Sequence, residues 1–182
     1  GGSGTPVAGH RISIQTTTRI NKIAGCINTA DQGGYGWGRI YPNTYLLSLY
    51  DQAKDTRYNE LFVHRFKYND PTSPKYGELI PLAKSSSYCE TLHFMSKKYF
   101  DQWTMADNPD RTTGFKDLIV YRLAETYLMA AEAYMRRDGG MSTDALRCYN
   151  KTWERAGNDK FAGPLTQDIL LDEYARELNF EG

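Results

Sequence analysis

The chain has 182 residues, with 22 Lys and Arg balanced by 22 Asp and Glu, so its formal net charge is zero and its pI is ≈ 7.0. A phosphate-binding surface needs a basic excess, and the absence of one argues against nucleic acid as a partner. The length suffices for one domain with a buried core, and no apolar run approaches the roughly 20 residues of a membrane-spanning helix.

Residues 1–9 open Gly1-Gly2-Ser3-Gly4 and read as a linker or a cloning remnant. From His10 to Gln15 the pattern alternates, with Ile12 and Ile14 on one face, and predicts a short strand that Thr16-Thr17-Thr18 can continue. Asn28 to Arg39 is a glycine-rich loop. Pro42 opens a predicted helix through Tyr45, Leu46, Leu49 and Tyr50, since proline is tolerated in a first turn. The charged run Asp51–Tyr58 ends it. Leu61–Tyr68 alternates, with Phe62, His64, Phe66 and Tyr68 on one face, and predicts a strand whose two faces are both partly apolar. Asn69–Lys84 contains Pro71, Pro74 and Pro81 and reads as an irregular loop. Thr91–Met95 is a second candidate strand, and Asp107–Arg111 a polar loop.

Asp117–Gly182 then reads as three helices. In the first, Leu123, Tyr127, Ala130 and Tyr134 recur at helical spacing, with Leu128, Ala131 and Met135 beside them. Asp138-Gly139-Gly140 stops it, and Ser142 or Thr143 can cap the next. Leu146, Tyr149 and Trp153 form the second stripe, ended at Ala156-Gly157-Asn158. Thr166 caps the third, whose stripe is Ile169, Leu170, Tyr174 and Leu178. Two helices joined by a short turn, with a third to stack on them, follow the pattern of a TPR-like helical hairpin repeat. The predicted fold is therefore mainly α: a loop-rich part with short β-strands (10–116) and a helical hairpin part (117–182), within one domain spanning 10–182.

Catalytic patterns are sparse. His10, His64 and His93 lie far apart without paired-ligand spacing, and there is no G-x-S-x-G elbow. His64, inside an aromatic strand face, reads as a packing residue. Glu125 and Glu132 would sit about 10 Å apart along one helix, pointing the same way instead of across a cleft. No enzyme, cofactor or metal is expected; Asp107-Asn108-Pro109-Asp110 has oxygen ligands that suit calcium but reads as a polar turn. Cys26, Cys89 and Cys148 lack zinc-site spacing. Cys148 reads as a small buried residue, and a Cys26–Cys89 disulfide is open.

Three blocks carry a family resemblance: YRLAETYLMAAEAY (121–134), A-L-x-x-Y-N-K-x-W-x-R-A-G (145–157) and ILLDEYARELNFEG (169–182). In this order and spacing they resemble the C-terminal signature of the SusD/RagB family. A looser match is Pro42, Leu46, Leu47, Tyr50, Asp51, Lys54, Asp55, Arg57 and Tyr58. The resemblance implies a SusD-like fold in a cell-surface, lipid-anchored outer-membrane protein of Bacteroidetes-type bacteria. Such a protein binds oligosaccharide without chemistry and passes it to a SusC-like TonB-dependent transporter. Family members continue past E-L-x-x-E-G into an R-W-x-D-L run, so the sequence reads as a truncated C-terminal portion, its anchor and signal peptide not included. The family pattern also implies a structural ion network joining Arg122 and Glu125 to Glu173, Arg176 and Glu177, with Asp172 and Arg176 as an i,i+4 pair.

Aromatic residues are abundant, with 14 Tyr, 7 Phe and 3 Trp, and tyrosine-rich surfaces serve recognition. The loop residues Tyr35 and Trp37 offer flat rings on which the apolar face of a sugar can stack. Asp31, Gln32, Arg39 and Asn43 are candidates to bond its hydroxyls, and Tyr41 is a further candidate ring. Burial of Trp37 under the following helix is the competing reading. The alternative function is a helical-repeat protein–protein scaffold with no glycan site in this portion.

Overall fold

A computed structural model describes residues 10–82 and 90–181. The sequence expectations at residues 1–9, at Cys89 and at Gly182 lie outside the described residues. The chain is mainly helical, with a two-stranded sheet, and it divides into two compact units. Of the described residues, unit 1 holds 10–42 and 62–118; unit 2 holds 43–61 and 119–181. The helical unit thus takes in a stretch that sequence order assigns to the loop-rich part.

In unit 1, the predicted strand at His10–Gln15 is instead a short helix, α1 (Ile12–Thr16). The Thr16 and Thr17 hydroxyls both donate back to the Ser13 carbonyl, at 3.0 and 2.7 Å, and His10 Nδ1 accepts from the Ile12 N–H. These local bonds occupy backbone groups that a ladder would otherwise use. Only His10 pairs in extended fashion, bridging Gly114. Of the predicted strand Leu61–Tyr68, only β1 (Phe62–Val63) is regular. It pairs antiparallel with β2 (Met95–Ser96), Phe62 opposite Ser96 and Val63 opposite Met95. Beyond β1 the chain changes partner: the Phe66 carbonyl accepts from Ile80 N–H and Tyr68 N–H donates to Glu78. Ile20, Cys26, Phe66, Ile80, Leu92 and Met95 form the core. An unpredicted helix, α3 (Gln102–Asp107), starts where Asp101 caps it and buries Met105.

In unit 2, α2 (Thr44–Ser48) begins at Asn43, as Pro42 foretold to within two residues. A wide helical turn at Arg57–Leu61 ends the stretch. The three predicted helices are α4 (Leu123–Asp138), α5 (Thr143–Trp153) and α6 (Gln167–Leu178). Their ends follow the sequence. Gly139 closes α4 at φ +85°, and Ser142 and Thr166 accept from the backbone N–H groups of Ala145 and Ile169. Leu128, Ala131, Ala145, Cys148, Tyr149, Leu165 and Leu170 form the shared core, with Tyr127, Tyr134, Trp153 and Ile169 packed against it. Burying Leu128 or Leu170 contributes about 1.5–3 kcal/mol each. The buried face of α4 is turned one position from the predicted stripe: Ala124 is buried, while Leu123 is 66% exposed.

Candidate functional site

The glycine-rich loop of unit 1 is held by its backbone. Tyr35 N–H donates to Pro109, Trp37 N–H to Ile14, Gly38 N–H to Thr17, and Arg39 and Ile40 both to Gln15. The glycines make this seating possible. A Cβ on Gly36 would collide with the Thr17 and Thr18 carbonyl oxygens, and one on Gly38, at φ +61°, with Glu90. The side chains of the loop are therefore carried on a fixed backbone.

The predicted binding residues are distributed unevenly around this loop. Trp37 is half-buried, with the Arg39 guanidinium 4.7 Å and that of Arg11 5.7 Å from its ring centre. Tyr35 is half-buried, and Asp31 and Arg39 are exposed. Tyr41 is half-buried with its ring 5.1 Å from His93. Gln32 turns inward: it is buried, its amide donates to the Lys67 carbonyl at 3.3 Å, and its side-chain oxygen meets no partner among the described residues. Asn43 belongs to unit 2, where its side-chain oxygen caps α2 by accepting from Leu46 N–H at 2.8 Å. Arg39 and Trp37 are thus together, while Gln32 and Asn43 are engaged elsewhere. His64 stacks on Phe94 at 5.2 Å, and burial pushes its pKa down. Asp110 accepts from Asn28 at 2.6 Å and Asn108 from Asp110 N–H, so these oxygens serve a turn. Among the described residues no group of three or more His, Cys, Asp or Glu side chains is placed to hold a metal ion.

Unit 2 contains a buried ion network. Arg57, with its side chain 5% exposed, donates to Asp55 (2.7 and 2.9 Å), to Glu173 (2.8 Å) and to Glu177 (2.9 Å). Arg176 donates to Glu173 at 2.8 Å, and Arg122 to Glu177 at 2.5 Å and to Glu181 at 2.6 Å. Arg155 also pairs with Glu177. Four carboxylates (Asp55, Glu173, Glu177, Glu181) thus meet four guanidinium groups (Arg57, Arg122, Arg155, Arg176), which makes burial of the charges tolerable. Burial alone would raise Glu177, but Arg122, Arg155 and Arg57 hold its pKa below the usual glutamate value. Burial likewise opposes the charge on Arg57, and Asp55 and Glu173 override it, raising its pKa.

The structure brings Arg122, Glu173, Arg176 and Glu177 together; Glu125 takes no part in an ion pair among the described residues. Asp172 does not pair with Arg176 but accepts from the Tyr45 hydroxyl at 2.6 Å. Sequence reasoning missed Asp55, Arg57, Arg155 and Glu181 as members. The signal was there in Lys54-Asp55-Thr56-Arg57-Tyr58, read as a charged run ending a helix and as part of the looser family match but not as a partner of the last helix. It also passed over Trp103, which is 89% exposed.

Comparison with known proteins gives concordant matches. The model of the SusD family matches residues 6–182. The starch-binding protein SusD of Bacteroides thetaiotaomicron is 39% identical over 66 residues, covering 36% of this chain and 11% of that protein. Surface glycan-binding protein A from Bacteroides uniformis superposes with a TM-score of 0.61 at 21% identity, covering 94% of this chain and 33% of that one. A SusD superfamily protein from Parabacteroides distasonis gives 0.52 at 21% identity, covering 75% of this chain and 27% of that one. The chain therefore spans a third or less of the length of these relatives.

Proposed function

Because the chain belongs to the SusD family, we propose that it is part of a non-catalytic glycan-binding protein displayed at the bacterial outer membrane. In the complete protein, oligosaccharide is captured at the cell surface and passed to a SusC-like TonB-dependent transporter, with a lipid anchor holding the captor in place. The relatives named for binding starch and surface glycans support this reading.

The observation that carries it within this chain is the fixed loop around Trp37. A sugar ring has an apolar C–H face edged by hydroxyls, so it needs a ring to rest on and polar groups at the margin. Trp37 and Tyr35 would supply the platform, Tyr41 a further ring, and Arg39 and Asp31 the hydrogen bonds. Gln32 and Asn43 would have to release their present bonds to join. Backbone anchoring lowers the ordering cost of binding. Trp37→Ala is expected to abolish retention of the chain in affinity electrophoresis through a gel containing the cognate glycan, with its melting temperature nearly unchanged. Unchanged retention would remove the loop from the site.

One observation favours a second reading, a protein–protein scaffold. In unit 2, Val120, Tyr121 and Leu123 are 74, 85 and 66% exposed, an apolar run suited to a protein partner. Co-purification of a protein partner that is lost in Val120→Asp, from a chain that retains no glycan, would support it.

A further inference from the structure

Unit 1 contains a groove of ≈ 570 Å³ between α3 and the residues around Phe115. Two rings border it: Trp103, 89% exposed, and Phe115, 47% exposed. A single buried carboxylate ties both rings to the same frame. Asp101 caps α3 by accepting from Thr104 N–H at 3.2 Å and from the Thr104 hydroxyl at 2.6 Å. The same side chain accepts from the backbone N–H of Phe115 at 2.7 Å. The backbone segments that carry the two rings are thus held in one frame, which lowers the ordering cost of a stacking platform.

The polar character of the groove is one-sided. Its one lining carboxylate, Asp101, is 8% exposed and already accepts three bonds. Burial opposes the charge on Asp101, yet these donors hold its pKa below the usual aspartate value, so it stays ionised and occupied. The other charged groups at the groove are the exposed ammonium groups of Lys97 and Lys116; Lys116 donates one bond, to the Phe100 carbonyl at 3.4 Å, and retains further donors. Gln102 adds an amide. Flat apolar area beside spare cationic donors, with no spare carboxylate acceptor, suits a ring with an apolar face and an anionic substituent.

We propose that this groove is a second sugar subsite, selective for an acidic pyranose residue whose anion is a carboxylate or a sulfate. Trp103 stacks on the ring, and Lys97 and Lys116 bind the anion. The proposal rests on the reading of the protein as a glycan captor and goes beyond it by naming the class of sugar.

The test is affinity electrophoresis and calorimetry of the chain against an array of uronic-acid oligosaccharides, sulfated oligosaccharides and their neutral parents. The unmodified chain should bind acidic members of at least one of the two kinds more tightly than the neutral parents, and which kind it binds identifies the anion. Trp103→Ala should weaken that binding about tenfold with no change in melting temperature. The double variant Lys97→Gln, Lys116→Gln should cut the preference for acid about threefold or more, keeping the weaker binding of neutral sugars. Equal binding of acidic and neutral members, or a Trp103→Ala variant that binds like the unmodified chain, overturns the subsite. If Trp37→Ala abolishes retention and Trp103→Ala leaves it unchanged, capture at the loop stands and the groove proposal fails alone. If no glycan is retained, both fail.

Discussion

Arg57 and Glu177 are the residues on which the helical unit depends most. Arg57 bonds Asp55, Glu173 and Glu177 at once from a side chain 5% exposed. Replacing it with methionine keeps the volume but leaves buried Asp55 without its cation and Glu173 and Glu177 each with one cation fewer. Arg57→Met should therefore cost about 3–5 kcal/mol, read as a lower urea midpoint. Glu177 sets the acid limit. Its folded pKa is depressed below the ordinary glutamate value of 4.5, so it contributes stability that is complete above that value and is lost as pH falls through the folded pKa. Urea midpoints should fall on acidification below about pH 4.5, and less so in Glu177→Gln, which is weaker at neutral pH. Sequence made four members of the network legible: Glu173, Arg176 and Glu177 through their spacing on one helix, and Arg122 through the family resemblance. Glu125 was misread for a geometric reason. Arg122 is the N-cap of α4 with extended backbone (φ −146°), so its side chain leaves the helix toward α6 and bonds Glu177 and Glu181 instead of the residue three positions on.

The elements show where local chemistry was enough and where it was not. α4, α5 and α6 were legible because each carries its own stop or cap, at Gly139, Ser142 and Thr166, and because the core residues recur at helical spacing. α1 was misread because Ile12 and Ile14 are two apart, which fits a strand, while Thr16 and Thr17 satisfy their hydroxyls on Ser13 in a helical turn. α3 was invisible because a six-residue helix has too few positions to show a period, and its cap, Asp101, is identified by bonds to Thr104 and Phe115. The loop around Trp37 was recognised by composition, but its anchoring on α1 depends on contacts distant in sequence. Gly36→Ala tests that anchoring. The added methyl would strike two backbone carbonyls that cannot rotate away, so a loss of about 2 kcal/mol or more is expected. Thermal melting would report it, and retention on glycan should fall with it if Trp37 is the platform.

At the scale of the whole molecule, the division into units departs from the order of the sequence. Residues 43–61 lie among loops and strands along the chain yet fold with the helices, because Asp55 and Arg57 complete the charges of α6. A composition-based boundary near residue 117 cannot see this, since the decisive interaction pairs residues 116 apart. It follows that residues 119–182 made alone should be incompletely helical by circular dichroism, because Glu173 and Glu177 would lose Arg57. Adding a peptide of residues 43–61 should restore helicity.

That same interruption has a consequence in time. Ribosomes release chain from the amino end, at about 5–20 residues per second. Arg57 therefore emerges roughly 6–23 s ahead of Glu173, 116 positions later. All of unit 1 exists by residue 118, whereas the stretch carrying Arg57 must wait, solvated and unpaired with α6, until Glu173 and Glu177 have been made. The helical unit is thus able to close only after unit 1 is complete, and it closes on a guanidinium made long before.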